Sequence, residues 1–131
     1  MAGLMPIDKE NQPPIISAYD NEGFTIAGEF IKGSVIITGA EGTGFEISNW
    51  PGKKAEAISP KKLELIYKSK NTPDLIILGV GQVMDHPFQA LRADLSKHAI
   101  ATEIQTTPAA CRTWNLLLSE GRKVAFAAIA H

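Results

Sequence analysis

Apolar and polar positions follow two different rhythms along this chain. From Ile15 to Ile47, short apolar runs alternate with turn formers. Ile15-Ile16-Ser17-Ala18-Tyr19 closes on Asp20-Asn21-Glu22-Gly23, and Phe24-Thr25-Ile26 is followed by Ala27-Gly28 and then Glu29-Phe30-Ile31. Lys32-Gly33 precedes Ser34-Val35-Ile36-Ile37-Thr38, and Gly39, Gly42 and Gly44 punctuate a loop before Phe45-Glu46-Ile47-Ser48. Runs this short, bounded by such residues, predict a meander of strands, with Lys32-Gly33 as a two-residue hairpin loop. Asn49 to Lys54 reads as a connector, and Ala55 to Ile58 as one more short strand.

The second half changes period. Ser59-Pro60 is a helix start, since Ser59 can accept from an orphan N–H and Pro60 suits the first turn. Leu63, Ile66 and Tyr67 then share a face, and Pro73 ends any continuation. Leu75-Ile76-Ile77-Leu78 has no polar alternation, which predicts a strand covered on both faces. Asp85-His86-Pro87 opens a helix whose Phe88, Leu91 and Leu95 align at i, i+3 and i+7. Ile100 to Ile104 is a strand, Thr107-Pro108 opens a helix reaching Leu118, and Gly121 stands where a left-handed cap is wanted. Val124 to Ile129 closes the pattern as another apolar strand. From Leu75 the order is β-α-β-α-β, and strands joined by helices lie parallel with right-handed crossovers. The expectation is a single α/β domain over residues 15–131, after an irregular leader over 1–14 that carries Pro6, Pro13 and Pro14.

The bulk numbers agree with one globular domain. The chain has 131 residues, 44% hydrophobic and 21% charged, and ordinary domains cluster at about 100–150 residues. A formal charge of −1 supplies no field for a general grip on nucleic acid. The single cysteine, Cys111, excludes a disulfide scaffold and makes a reducing cytoplasm the natural setting. The start of the chain lacks the basic and apolar regions of a signal peptide. Nowhere do about 18 apolar residues run together, so no membrane insertion is expected.

Candidate chemistry is sparse. Gly79-Val80-Gly81 follows a buried strand and precedes a helix, the place where open α/β sheets take ligands. A dinucleotide fingerprint would need a third glycine where Met84 stands, and Gly39 to Gly44 continues with Phe45-Glu46 instead of a phosphate-loop Lys and Ser or Thr. Turn-making and close packing are the simpler roles for these glycines. Cys111 falls near a helix start beside Arg112, where a thiol is activated, and His86 or His98 could serve as its base. Ala109, Ala110 and Trp114 around it favour a buried, inert thiol instead. Asp85 and His86 read as helix caps, and three scattered histidines with one cysteine make no metal site. Lys53-Lys54 and Lys61-Lys62 read as solvated surface. At the start of the last helix, free N–H groups and the guanidinium fork of Arg112 form the best anion site in the sequence. With Gly79 and Gly81, the residues Arg112, Thr113 and Asn115 complete the ligand-binding set; the rival reading pairs Arg112 with a carboxylate and puts Trp114 in the core.

The stretch from Pro108 to Ala125 (Pro-Ala-Ala-Cys-Arg-Thr-Trp-Asn-Leu-Leu-Leu-Ser-Glu-Gly-Arg-Lys-Val-Ala) resembles the C-terminal pattern of a small family of uncharacterised prokaryotic proteins. That family also contains a mitochondrial assembly factor for respiratory complex I and an adipogenesis-associated animal protein. Tyr19-Asp20-Asn21-Glu22-Gly23-Phe24 with Gly33-Ser34-Val35 resembles its N-terminal pattern, and Leu78-Gly79-Val80-Gly81 its middle strand and loop. The resemblance implies a three-layer α/β fold with a mixed central sheet, no established enzymatic activity, no cofactor and no catalytic residues to carry over. The chain lacks an Arg-rich amphipathic start, so a bacterial or cytosolic member is expected. The leading expectation is a non-enzymatic binding or assembly protein with a protein partner, serving the biogenesis of a respiratory (complex I-type) or other membrane-bound complex. The alternative is a small-molecule or anion-binding protein, or an enzyme, using Gly79 to Gly81 and the helix start near Arg112. Exposed strand edges offer pairing between chains, but the sequence sets no oligomeric state.

Overall fold

The computed structural model describes residues 4–5, 13–40, 45–51, 58, 63–64, 66, 72–82 and 89–130. Its strands are β1 (Leu4–Met5), β2 (Ile16–Tyr19), β3 (Gly23–Ile26), β4 (Glu29–Lys32), β5 (Ser34–Ala40), β6 (Glu46–Trp50), β7 (Leu75–Gly79), β8 (Ala101–Gln105) and β9 (Val124–Ala128). Two helices run through the described residues: α1 (Gln89–Ser96) and α2 (Thr107–Ser119).

A six-stranded sheet, ordered β1-β6-β5-β9-β7-β8, forms the middle layer, and β2-β3-β4 form a separate three-stranded sheet. β7 runs parallel to both β8 and β9, whereas β5 is antiparallel to β9 and to β6. The central sheet is therefore mixed. β9 lies between β5 and β7 and is buried along its whole length, which is why its sequence shows no polar alternation. Val124, Phe126 and Ala128 project to one face and pack with Ile77, Val35 and Ile37. Ala125 and Ala127 project to the other, with Ile76, Leu78 and Ile36.

Different elements cover those faces. The first carries α2, through Ala110, Cys111 and Trp114, and the small sheet, through Ile16, Phe24, Ile26 and Ile31. The second carries Leu95 of α1 and the helical residues Leu63 and Ile66, the face expected from their spacing. The α/β class, the mixed sheet, the three layers and the parallel β-α-β-α-β half all stand as expected. The short strand expected over 55–58 lies outside the described residues apart from Ile58, and so do most of the first helix, Met84, Asp85 and His86.

Three local expectations are corrected. Lys32-Gly33 is no hairpin loop, because β4 pairs with β3 and not with β5. The tight hairpin turn is Ala27-Gly28, at φ 50° and 83°, between the paired Ile26 and Glu29; both φ values are positive, as a type I′ turn requires. Gly33 (φ 93°) is where the chain leaves the small sheet for the large one. Gly39 belongs to β5, and Asn49 and Trp50 to β6, because the apolar pairing with β9 and β5 carries these strands past the glycine and polar positions that looked like loops. Within the stretch read as an irregular leader, Leu4 and Met5 pair antiparallel with Ser48 and Ile47.

The two glycines should respond differently to a side chain. A Cβ on Gly28 meets nothing within 4 Å, so Gly28→Ala carries the left-handed backbone penalty alone, about 1 kcal/mol. A Cβ on Gly33 would lie 2.5 Å from the Trp50 carbonyl oxygen, so Gly33→Ala is expected to cost about 3 kcal/mol. Urea unfolding of both variants measures the difference.

Candidate functional site

The last helix starts on Thr106, whose hydroxyl accepts the Ala109 N–H at 3.4 Å, with Pro108 in the first turn. Its end is set by Gly121 (φ 71°), where Gly121 N–H and Arg122 N–H return to the Leu118 and Leu117 carbonyls. Between these limits α2 lies across β7 on its way from β8 to β9, as a crossover that skips one strand must.

At the helix start the polar groups are already spoken for. The buried Thr107 hydroxyl accepts the Gly81 N–H at 3.0 Å and donates to the Ile129 carbonyl at 3.0 Å. Thr107 N–H donates to the Gly81 carbonyl at 2.7 Å, and Val80 N–H donates to the Gln105 carbonyl at 3.0 Å. Gly79 is there for space: a Cβ on it would sit 2.8 Å from Ala128 Cβ and 3.2 Å from Thr107 Cα. Gly79 and Gly81 therefore weld the carboxyl ends of β7 and β9 to α2. Gln105 stands opposite Gly79 in the β7–β8 register, and its Oε1 is buried with no hydrogen-bond partner. That atom is an acceptor, which invites a donor and not an anion.

The expected ligand-binding residues do not converge. Arg112 is exposed and Thr113 half-buried. Asn115 lies eight residues beyond Thr107, about 12 Å along the axis, and both ends of its amide are engaged. Its Oδ1 accepts Ile16 N–H at 2.9 Å and its Nδ2 donates to the Ile16 carbonyl at 2.9 Å. Trp114 beside it is wholly buried, donates Nε1–H to the Pro14 carbonyl at 2.8 Å, and stacks at a tilt on Phe126 with centroids 5.5 Å apart. Phe24 meets the same Phe126 ring edge-on at 6.2 Å. These residues fasten the small sheet to the large one.

Cys111 is 2% exposed, and burial pushes its thiol up to about 12 against a smaller opposing pull from Arg112. It is packed on one face of the central sheet, while His98 follows α1, which packs on the other. The sheet separates them, so they make no nucleophile and base pair; His86 lies outside the described residues. Among the described residues no cluster of three or more His, Cys, Asp or Glu could hold a metal ion, and no helix is long and apolar enough to cross a membrane. Sequence reading placed Trp114 in the core but missed the work of Thr107 and the Asn115 amide. The available signal was a side-chain amide next to a buried tryptophan on an otherwise apolar helix.

Two outcomes follow. Asn115→Ala leaves the Ile16 N–H and C=O without their partner and should lower stability by about 2 kcal/mol, while Arg112→Ala should stay within about 0.5 kcal/mol; urea unfolding reads both. Cys111 should react with an alkylating reagent only after denaturation. Its folded pKa lies above the unfolded one, so the unfolded chain releases its proton first, and stability should fall as pH rises from about 9 toward 12. Cys111→Ala should flatten that decline.

Known proteins share this fold and sequence pattern. A protein of Danio rerio named NADH dehydrogenase (ubiquinone) 1 alpha subcomplex assembly factor 3 is 31% identical over 115 residues, which cover 88% of this chain and 63% of that protein. The chain thus spans less than two thirds of that relative's length. An uncharacterised protein of Rhodobacter capsulatus is 28% identical, with 94% of this chain and 82% of that one covered. The crystal structure described as an outer membrane protein from Bartonella henselae superposes with a TM-score of 0.77 at 26% identity, covering 92% of this chain and 98% of that one. With the model of the family described as "Protein of unknown function (DUF498/DUF598)" matching residues 16–129, the chain belongs to that family.

Proposed function

We propose that the protein is a non-enzymatic binding factor that assists the assembly of a complex I-type respiratory membrane complex. The similarity over 88% of this chain to a protein named as a complex I assembly factor carries this reading. The chemistry of α2 is consistent with it. Several groups of the candidate set are engaged in the fold: a buried thiol at Cys111, an amide at Asn115 that holds Ile16, and loop N–H groups at Val80 and Gly81 that donate to Gln105 and Thr107.

The anion-binding alternative draws on Arg112, which is exposed at the second turn of α2. It has less support, because Gly81 N–H is satisfied and the open atom nearby, Gln105 Oε1, is an acceptor.

Deletion of the gene in its native host tests the assembly reading. Native gels should show fully assembled complex I reduced by more than about half, with subassemblies accumulating, and the full chain supplied in trans should restore it. Assembly at the wild-type level in the deletion strain would overturn the reading.

A further inference from the structure

A strand at the edge of a sheet offers unpaired backbone groups to any passing chain, and folded proteins guard such edges. Among the described residues, three of the four edge strands carry a guard. β1 is two residues long. On β2, Asn115 takes both backbone groups of Ile16, and the register shifts between Ile16 and Ala18. On β4, Asn49 Nδ2 donates to the Lys32 carbonyl at 2.7 Å. β8 is the exception. It closes the central sheet at the end opposite β1, its five residues pair with β7 without a bulge, and no proline interrupts it.

The ladder shows which groups β8 leaves over. Ala101 N–H donates to the Asp74 carbonyl and the Gln105 carbonyl accepts Val80 N–H, both at 3.0 Å. Ala101, Glu103 and Gln105 are therefore the residues that bond β7. The N–H and C=O groups of Thr102 and Ile104 point the other way, and no described residue bonds them. Thr106, still extended at φ −61° and ψ 156°, continues that row, with its carbonyl given to the Ala110 N–H and its own N–H bonded by no described residue. The side chains of β8 are short of partners as well: Thr102 Oγ1 and Gln105 Oε1 are buried without one, and buried polar atoms are ordinarily paired.

A second copy of this chain supplies a matching strand. A two-fold axis sets the two β8 strands antiparallel, and three registers bring the outward groups opposite each other, centred on Thr102, Glu103 or Ile104. Centring on Glu103 opposes two carboxylates, which is destabilising. Centring on Thr102 calls on Ile100 N–H, which already donates to the Leu95 carbonyl at 3.2 Å. Centring on Ile104 meets neither obstacle. It sets Ile104 against Ile104, Thr102 against Thr106, and the exposed Glu103 against Gln105, whose side-chain N–H groups suit a carboxylate. A formal charge of −1 adds little repulsion between copies.

We propose that two copies of this chain pair antiparallel through β8, in the register centred on Ile104, and so join their central sheets into one. This goes beyond the assembly reading and does not depend on it. The paired strand spans about 17 Å. So small a contact makes a weak dimer that forms at high concentration.

Analytical ultracentrifugation of the full chain tests the pairing. Dimer should rise from a trace at about 10 μM to the major species at about 1 mM. The nuclear magnetic resonance signals of the Thr102, Ile104 and Thr106 amides should shift over the same range. Gln105→Glu sets two carboxylates opposite each other at both symmetric sites and should weaken the dimer about tenfold. Adding Glu103→Gln to that variant should restore it, which it would not do for a chain that is merely destabilised. Oxidative cross-linking reads the register, with Cys111 buried and silent. An equimolar mixture of Glu103→Cys and Gln105→Cys chains should cross-link at least about fivefold faster than either chain alone, because only the mixed pair stands directly opposite. A chain that stays monomeric at about 1 mM, concentration-dependent shifts confined to another surface, or Glu103→Cys alone cross-linking as fast as the mixture would overturn the proposal.

Discussion

The structure depends on a grip that spans most of the chain: Trp114 and Asn115 of α2 hold the backbone of Pro14 and Ile16 across sequence separations of 100 and 99 residues. The main chain at the entrance to β2 would otherwise be an open strand edge whose polar groups face a partly buried seam. The Trp114 indole and the Asn115 amide satisfy these groups from the side, in the way a neighbouring strand would. Leaving a buried backbone group unpaired costs about as much as a lost hydrogen bond or more. The seam is therefore held by matched polar groups as well as by the apolar mass of Ile16, Phe24 and Phe126.

That grip explains the economy of the rest. A small sheet of three strands has little stability alone, and here its inner face and the exposed flank of the central sheet bury each other. α2 serves both bodies at once: Ala110 and Cys111 pack in the core beneath it, Thr107 ties its start to the ends of β7 and β9, and Asn115 reaches the small sheet. The inner face and one edge of the small sheet are thereby committed to the fold.

The parallel half was legible because each of its elements repeats one simple rule. Leu75 to Leu78 and Val124 to Ile129 are apolar throughout because both faces of those strands are covered, and Thr106, Pro108 and Gly121 mark the helix ends by backbone chemistry that acts locally. The division of the early strands into two sheets was not legible. Partner choice between β4 and β5 depends on contacts with β6 and with the far more distant β9, and a glycine at φ 93° serves a sheet-to-sheet bend as readily as a hairpin. The same locality limits what the last helix reveals. Arg112, Thr113 and Asn115 are neighbours in sequence, but helix geometry sends Arg112 to solvent, Thr113 to a half-buried position and Asn115 onto Ile16. Cys111 could be placed correctly because its small apolar neighbours already described a core.

Hydrogen exchange at the Ile16 amide tests the grip most directly. Its N–H sits on the outer side of an edge strand, where exchange would be fast without a partner, and it donates to Asn115 Oδ1 at 2.9 Å. The account predicts that this amide exchanges only through global unfolding, with an opening free energy equal to that of the β9 amides. An Ile16 amide that exchanges by local fraying, several kcal/mol below the β9 amides in an otherwise intact fold, would contradict it.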